Sequence, residues 1–266
     1  MNASNRIPER VTCFTVSLCV RESLSLHRVP VHPEFARSAL PPRGRRTYNA
    51  VHPGRTCASM IDLYTFATPN GRKISIALEE LGLAYEVHSV NIVKNEQFRP
   101  EFLRISPNNK IPAIVDQDSG VTLMESGAIL IYLADTYGAQ LWGQDRWTTL
   151  QWLMWQMGGL GPMLGQVHHF VKYNPGKAPY AEDRYREEAK RLYGVLDRRL
   201  GEAEFISGTY SIADIASWPW ISRYEFQQMD LTQYPNVLRW YRAIAARPAV
   251  QRGYDVPALG QAIPLP

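Results

Sequence analysis

Two short stretches of this chain hold side chains placed for chemistry: Thr68-Pro69-Asn70-Gly71, and the run SPNNKIPAIVDQDSGVTLMES from Ser106 to Ser126. In the first, a hydroxyl and an amide stand at the expected start of a helix. Both can donate hydrogen bonds to an anion, and the helix end adds its positive dipole. A thiolate is such an anion, since a free thiol of pKa near 8.5 is only a few per cent ionised at neutral pH. The chain supplies no thiol there: Cys13, Cys19 and Cys57 all precede residue 60, so any thiol chemistry in 60–266 must use a sulfur brought by a ligand. The same residues also read as an ordinary N-cap followed by proline at the first helical position. Tyr64, the runner-up hydroxyl, falls inside the preceding strand pattern, which suggests packing.

The second stretch sets up a sheet edge. Ser106 to Asn109 are loop formers, and the alternation of Ile111, Ala113 and Val115 starts a short strand. A turn follows at 118–120, then a second strand over 121–124 and a helical pattern over 128–137, for which Ser126 is the expected N-cap. Proline cannot donate to a ladder, so Pro112 marks a strand start or an edge. A cis bond there would leave the N–H and C=O of Ile111 facing outward, where a ligand's own peptide backbone can pair with them.

The elements that must position these groups follow from periodicity. Residues 61–66, 71–81 and 85–90 read as strand, helix and strand, one parallel crossover unit. Residues 95–105 are loop and short helix. Beyond Tyr137 the chain turns wholly helical: a Trp-rich helix from about 146, interrupted by Gly158-Gly159-Leu160-Gly161-Pro162, then helices over 179–203, from Ser211, and over 235–247. Ser211 and Asp214 offer a variant capping box. Residues 60–140 and 146–253 are the expected domains, and 254–266 a tail.

Residues 1–59 show no sustained period and are rich in Arg, Pro, Ser and His. They read as a disordered or non-native extension, with the functional chain starting at Met60. Their composition is closer to an organellar leader than to a secretory signal, whose apolar stretch would not be broken by Thr, Ser and Cys. The formal charge of +4 resolves into +6 for 1–59 and −2 for the rest, so the folded body gives no case for nucleic acid or an anionic membrane. No apolar run approaches 18 residues, and a body without cysteine suits the cytosol.

From Met60 to about residue 253 the chain resembles a bacterial nu-class glutathione transferase homologue, of the group akin to glutathione transferase-like disulfide-bond oxidoreductases. The motifs are TPNG at 68–71, QFRPEFLRISPNNKIPAIVD at 97–116, ESGAI at 125–129, LQWLMWQMGGLGPMLGQ at 150–166 and YSIADIASWPW at 210–220. The resemblance implies an α/β thioredoxin-like N-terminal domain followed by an all-α C-terminal domain, a homodimer, and glutathione as bound co-substrate with no metal. It assigns thiol activation to Thr68 and Asn70, and glutathione binding to Asn70, Gln97, Ile111, Glu125, Ser126 and Arg184, with Lys110 a carboxylate neighbour. The charges agree: Glu125 suits the γ-glutamyl ammonium, and Ser126 at a helix N-terminus suits its carboxylate. Three functions compete. The first is glutathione-dependent disulfide reduction; the second is transfer to an electrophile or reduction of an organic peroxide at an aromatic cleft near Trp155 and Met163; the third is a non-catalytic glutathione-fold binding protein. His168 and His169, lacking a third ligand nearby, read as a cleft or surface pair rather than a metal site.

Overall fold

A computed structural model describes Thr47–Tyr48 and residues 60–266. The elements run β1 (Thr47–Tyr48), β2 (Met60–Thr65), α1 (Pro69–Leu81), β3 (Ala84–Ser89), α2 (Pro100–Leu103), β4 (Ala113–Asp116), β5 (Thr122–Met124) and α3 (Ser126–Tyr137). Six helices follow: α4 (Arg146–Trp155), α5 (Gly161–Val167), α6 (Pro179–Glu202), α7 (Ile212–Ile221), α8 (Pro235–Ala245) and α9 (Pro248–Tyr254).

Strand order is β1-β3-β2-β4-β5. The β2–β3 pair is parallel, as a crossover through α1 requires, and β4 and β5 are antiparallel to their neighbours. Period-two alternation then divides the residues. Ile61 and Leu63 join Ile74, Leu78, Ile129 and Leu133 in the main core, while Tyr64 and Ala113 face Val90 and Phe102 on the other side. Each fully buried Leu or Ile contributes about 1.5–3 kcal/mol. The thioredoxin-like half and the helical half are both present as expected.

Four details differ from the sequence reading. Thr47 and Tyr48, inside the stretch assigned to the extension, pair antiparallel with Glu86 and Tyr85 and add an edge strand; the rest of 1–59 lies outside the described residues. The glycines at 158–161 do not stop the helix, because π turns over Gln156–Leu160 and His168–Tyr173 carry it through α5. Pro162 falls in the first turn of α5, where a missing N–H costs little. Helix α9 lies almost wholly inside the expected helical domain, where the sequence reading places no helix beyond residue 247; proline at N1 opens one there.

That ninth helix lies so close to α1 that a Cβ on Gly253 would stand 2.7 Å from the backbone nitrogen of Ile76. The residues beyond it are anchored too. The Tyr241 hydroxyl donates to the carbonyl of Pro264 at 2.6 Å, and Arg72 donates to Gln261 Oε1 at 2.5 Å and to the Tyr254 carbonyl at 2.9 Å.

Candidate functional site

The strand-to-helix turn is built by Thr68. Its Oγ1 accepts from the N–H of Gly71 at 3.2 Å, capping α1, and Pro69 takes the first helical position. Gly71 is required here: a Cβ would meet the Phe66 carbonyl at 2.3 Å and Thr65 Oγ1 at 2.4 Å. The Thr68 hydroxyl uses its lone pair for the cap and keeps its proton to give. Asn70, in the first turn, is oriented from the far half of the chain, since Trp220 Nε1 donates to Asn70 Oδ1 at 3.0 Å. With the oxygen so engaged, the amide N–H₂ is the end left for a ligand.

Trp220 is itself braced. His168 stacks on it at 5.7 Å between ring centroids, and Gln227 Nε2 donates to the Trp220 carbonyl at 2.8 Å while lying 3.2 Å from His168 Nε2. Burial, with Arg223 adding repulsion, pushes His168 down to about 4, so the ring is neutral and accepts. His168 is therefore part of a buried network rather than a cleft or surface group, whereas His169 is exposed.

The hairpin supplies the other wall. The Ile111–Pro112 bond is cis, and Ile111 stands just before β4, outside its pairing with β5. Ser106 Oγ donates to the Lys110 carbonyl at 2.8 Å and holds the loop. Asp116 at the end of β4 accepts from the hydroxyls of Tyr132 and Tyr137 on α3. Burial would raise this carboxyl, but the two tyrosines and the N–H groups of Asp118 and Ser119 hold it at about 2.

Helix α3 begins one residue ahead of expectation, so the cap position falls on Glu125, whose side chain makes no capping bond. Glu125 has φ 69° and ψ 112°, a backbone conformation a non-glycine residue adopts at a cost of order 1–3 kcal/mol and one that clusters at ligand clamps. Its carboxylate accepts from Asn108 Nδ2 at 3.4 Å. Ser126 stands in the first turn, and its buried Oγ lies 3.3 Å from Lys73 Nζ and 3.7 Å from Met157 Sδ.

These elements enclose a cavity of about 50 Å³ lined by Asn70, Ser106, Lys110, Ile111, Pro112, Met124, Glu125, Ser126 and Met157. Four expected ligand contacts, Asn70, Ile111, Glu125 and Ser126, thus meet, with Lys110 beside them. Thr68 caps the adjoining helix without lining the cavity. Gln97 sits apart, on the short turn Glu96–Phe98, with Oε1 buried and unpartnered among the described residues. Arg184, on α6, lines a separate cavity of about 590 Å³ with Met163, Tyr180, Tyr185 and Arg191. Tyr64 is a packing residue: it stacks on His88 at 4.5 Å, and burial with Asp62 and Glu86 pushes its hydroxyl up to about 12, away from thiol activation. Asp62, Glu86 and His88 gather ligating atoms within 4.8 Å of one another on one sheet face, and none of them lines the cavity.

Sequence reasoning missed Lys73, Met157 and Trp220. Nothing local to Lys73, Met157 or Trp220 announces a partner 84 or 150 positions away.

The profile of the glutathione S-transferase N-terminal domain matches residues 59–135, and that of the C-terminal domain residues 179–243. The disulfide-bond oxidoreductase YfcG of Escherichia coli strain K12 is 54% identical over 198 residues, covering 71% of this chain and 92% of that protein. The disulfide-bond oxidoreductase YghU of the same organism is 39% identical over 212 residues, 73% of each. A glutathione transferase crystal structure from Burkholderia graminis, with two glutathione molecules bound per subunit, is 47% identical with a TM-score of 0.69, covering 76% of this chain and 90% of that one. One from Pseudomonas putida, with a glutathione disulfide bound per subunit, is 46% identical with a TM-score of 0.70, covering 75% and 92%. The capped α1 turn, the Ile111-Pro112 edge and the α3 start stand in the half that the first profile spans, and the chain belongs to the glutathione S-transferase family.

Proposed function

We propose that the protein is a glutathione-dependent disulfide-bond reductase that holds glutathione in the cavity between α1, β4 and α3. One glutathione thiolate attacks a sulfur of the substrate disulfide, forming a mixed disulfide and releasing the first substrate thiolate. A second glutathione thiolate then attacks the glutathione sulfur of that mixed disulfide, forming glutathione disulfide and releasing the second. The substrate disulfide gains two electrons, one from each glutathione sulfur, and the protons the two glutathione thiols shed go to the departing thiolates. The observation that carries this is a capped turn that sets the Thr68 hydroxyl and the Asn70 amide at the N-terminus of α1, in a body of residues 60–266 that contains no cysteine. A relative named for disulfide-bond oxidoreduction at 54% identity supports it.

In this reading Thr68 and Asn70 donate to the thiolate at the positive end of α1. The Ile111 backbone pairs with the tripeptide's own, Glu125 takes the ammonium, Ser126 the γ-glutamyl carboxylate and Lys110 the other. Gln97 and Arg184 complete the assignment, Arg184 from the wider cavity on α6. We place the enzyme in a reducing cytosol as a homodimer, and Trp147 and Met154, exposed on α4, are apolar groups a second copy could cover.

The test sets reduction of a small disulfide beside conjugation to an aryl halide, both with glutathione. Reduction is expected to exceed conjugation by a wide margin. Comparable or reversed rates would favour transfer to electrophiles or peroxide reduction, a reading that the partly apolar cavity beside Met163 and Tyr185 supports.

A further inference from the structure

Helix α1 buries two consecutive cations, and only one is accounted for by packing. Arg72 lies 3.5 Å over the Tyr254 ring and donates to the tail. Lys73, 1% exposed, reaches the other way: its Nζ is 2.7 Å from Gln156 Oε1, 3.3 Å from Ser126 Oγ and 3.3 Å from Met157 Sδ. All three partners are neutral. An ammonium without a paired anion is among the costliest groups to bury, and a methionine would fill the same volume. Two of its partners, Ser126 and Met157, line the cavity.

We propose that Lys73 is a positioning residue, a buried countercharge that acts through Ser126 on the γ-glutamyl carboxylate of bound glutathione, and that the arrival of this carboxylate draws a proton onto Nζ. The proposal rests on glutathione occupying the cavity as described above. Desolvation, opposed by Glu125, brings Lys73 down to about 7, so the amine is largely uncharged at slightly alkaline pH. An anion one residue away reverses this. Ser126 then accepts from the ammonium and turns its own hydrogen from Met157 Sδ to the carboxylate.

The titratable groups around Lys73 leave the carboxylate of the ligand as the missing partner. At the start of α3 stands Glu125, which faces Asn108. On α7, Asp214 is spent on Ser211, Ile206 and Trp240. On α9, Arg252 pairs with Glu79, and just before it Arg247 pairs with Glu80. The turn Gln156–Leu160 carries no titratable side chain.

The experiment is calorimetry with S-methylglutathione, which has no thiol proton to lose, in phosphate and in Tris near pH 8. The wild type is expected to take up a substantial fraction of a proton on binding, read from the buffer dependence of the enthalpy. An analogue with the γ-glutamyl carboxylate replaced by carboxamide should bind with no uptake. Lys73→Met should abolish the uptake and weaken binding of the parent ligand about ten-fold or more, the loss expected for one charge-assisted interaction. Buffer-independent enthalpy in the wild type, equal uptake with the carboxamide, or wild-type affinity in Lys73→Met would each overturn the proposal. If Lys73→Met does not fold, the wild-type comparison of the two ligands decides. Glu125→Ala and Ser126→Ala separate the two readings: loss of binding in both with no proton uptake in the wild type sinks only the role of Lys73, whereas unchanged binding in both removes the cavity assignment itself.

Discussion

At the scale of single residues, the structure makes Thr68 a helix cap and the proposed function makes it a donor to the thiolate, and the two roles can be separated. Thr68→Val deletes the hydroxyl. It should raise the pKa of bound glutathione thiol by about one unit, because a hydrogen bond to a charged group is worth roughly 1.5–3 kcal/mol and Asn70 and the helix end still contribute. It should also cost about 1 kcal/mol of stability through the lost cap. Thr68→Ser restores both. Ultraviolet titration of the thiolate reads the first effect, and thermal unfolding the second. Glu125→Ala should leave that pKa nearly unchanged while weakening binding strongly. The Trp220 contact adds a remote handle. Trp220→Phe keeps the stack on His168 but frees the Asn70 amide to rotate, so kcat/KM for disulfide reduction should fall roughly ten-fold, the cost of one hydrogen bond, with circular dichroism unchanged. Glu125, Ser126 and Asn70 were legible in the sequence because their chemistry is written in their own types and neighbours. Trp220 and Lys73 were not, because what matters about them is the side chain opposite, set by packing between segments far apart in the chain.

At the scale of elements, the hairpin and α3 are joined through Asp116. Asp116→Asn should cost about 1–3 kcal/mol by leaving two tyrosine hydroxyls and the turn N–H groups poorly matched, a loss read from urea unfolding near neutral pH. The sign with pH is fixed by the direction of the shift. The folded-state carboxyl, at about 2, lies below its ordinary value of 3.8, so its contribution is fully present above that value and is lost as pH falls through 3.8 toward 2. The wild type should lose stability across that window by more than the variant does. The sequence showed both strands and the turn through alternation and loop formers. It did not show the clasp, since Tyr132 and Tyr137 read only as helix positions. Helix ends came within a residue or two, and α9, inside the expected helical domain, was not legible because proline closes one helix and opens the next with the same geometry.

At the scale of the whole molecule, the two halves are held by α1 as much as by the core. Gly253→Ala would push a methyl group into the backbone of α1 at Ile76 and should lower the midpoint of thermal unfolding, at a cost of about 1–3 kcal/mol, the usual range for overpacking. Because α1 also carries Asn70, glutathione affinity should fall with it, whereas an equal destabilisation placed on α8 should leave affinity unchanged. The fold class was plain from the order of strand and helix patterns, since a crossover unit followed by a hairpin and a helical half admits few arrangements.

The bond from Arg72 to the carbonyl of Tyr254 spans 182 positions, and a chain is synthesised from its N-terminus. Thr68, Asn70, Glu125 and Ser126 therefore leave the ribosome long before the helix that covers α1. Until α9 arrives, Arg72 and the face around Ser75, which donates to the Gly253 carbonyl at 2.6 Å, remain uncovered. A nascent chain stalled ahead of residue 248 holds every cavity-lining residue and lacks the helix that packs against α1. A premature stop ahead of residue 248 should therefore weaken glutathione binding, although the lesion lies outside the cavity itself.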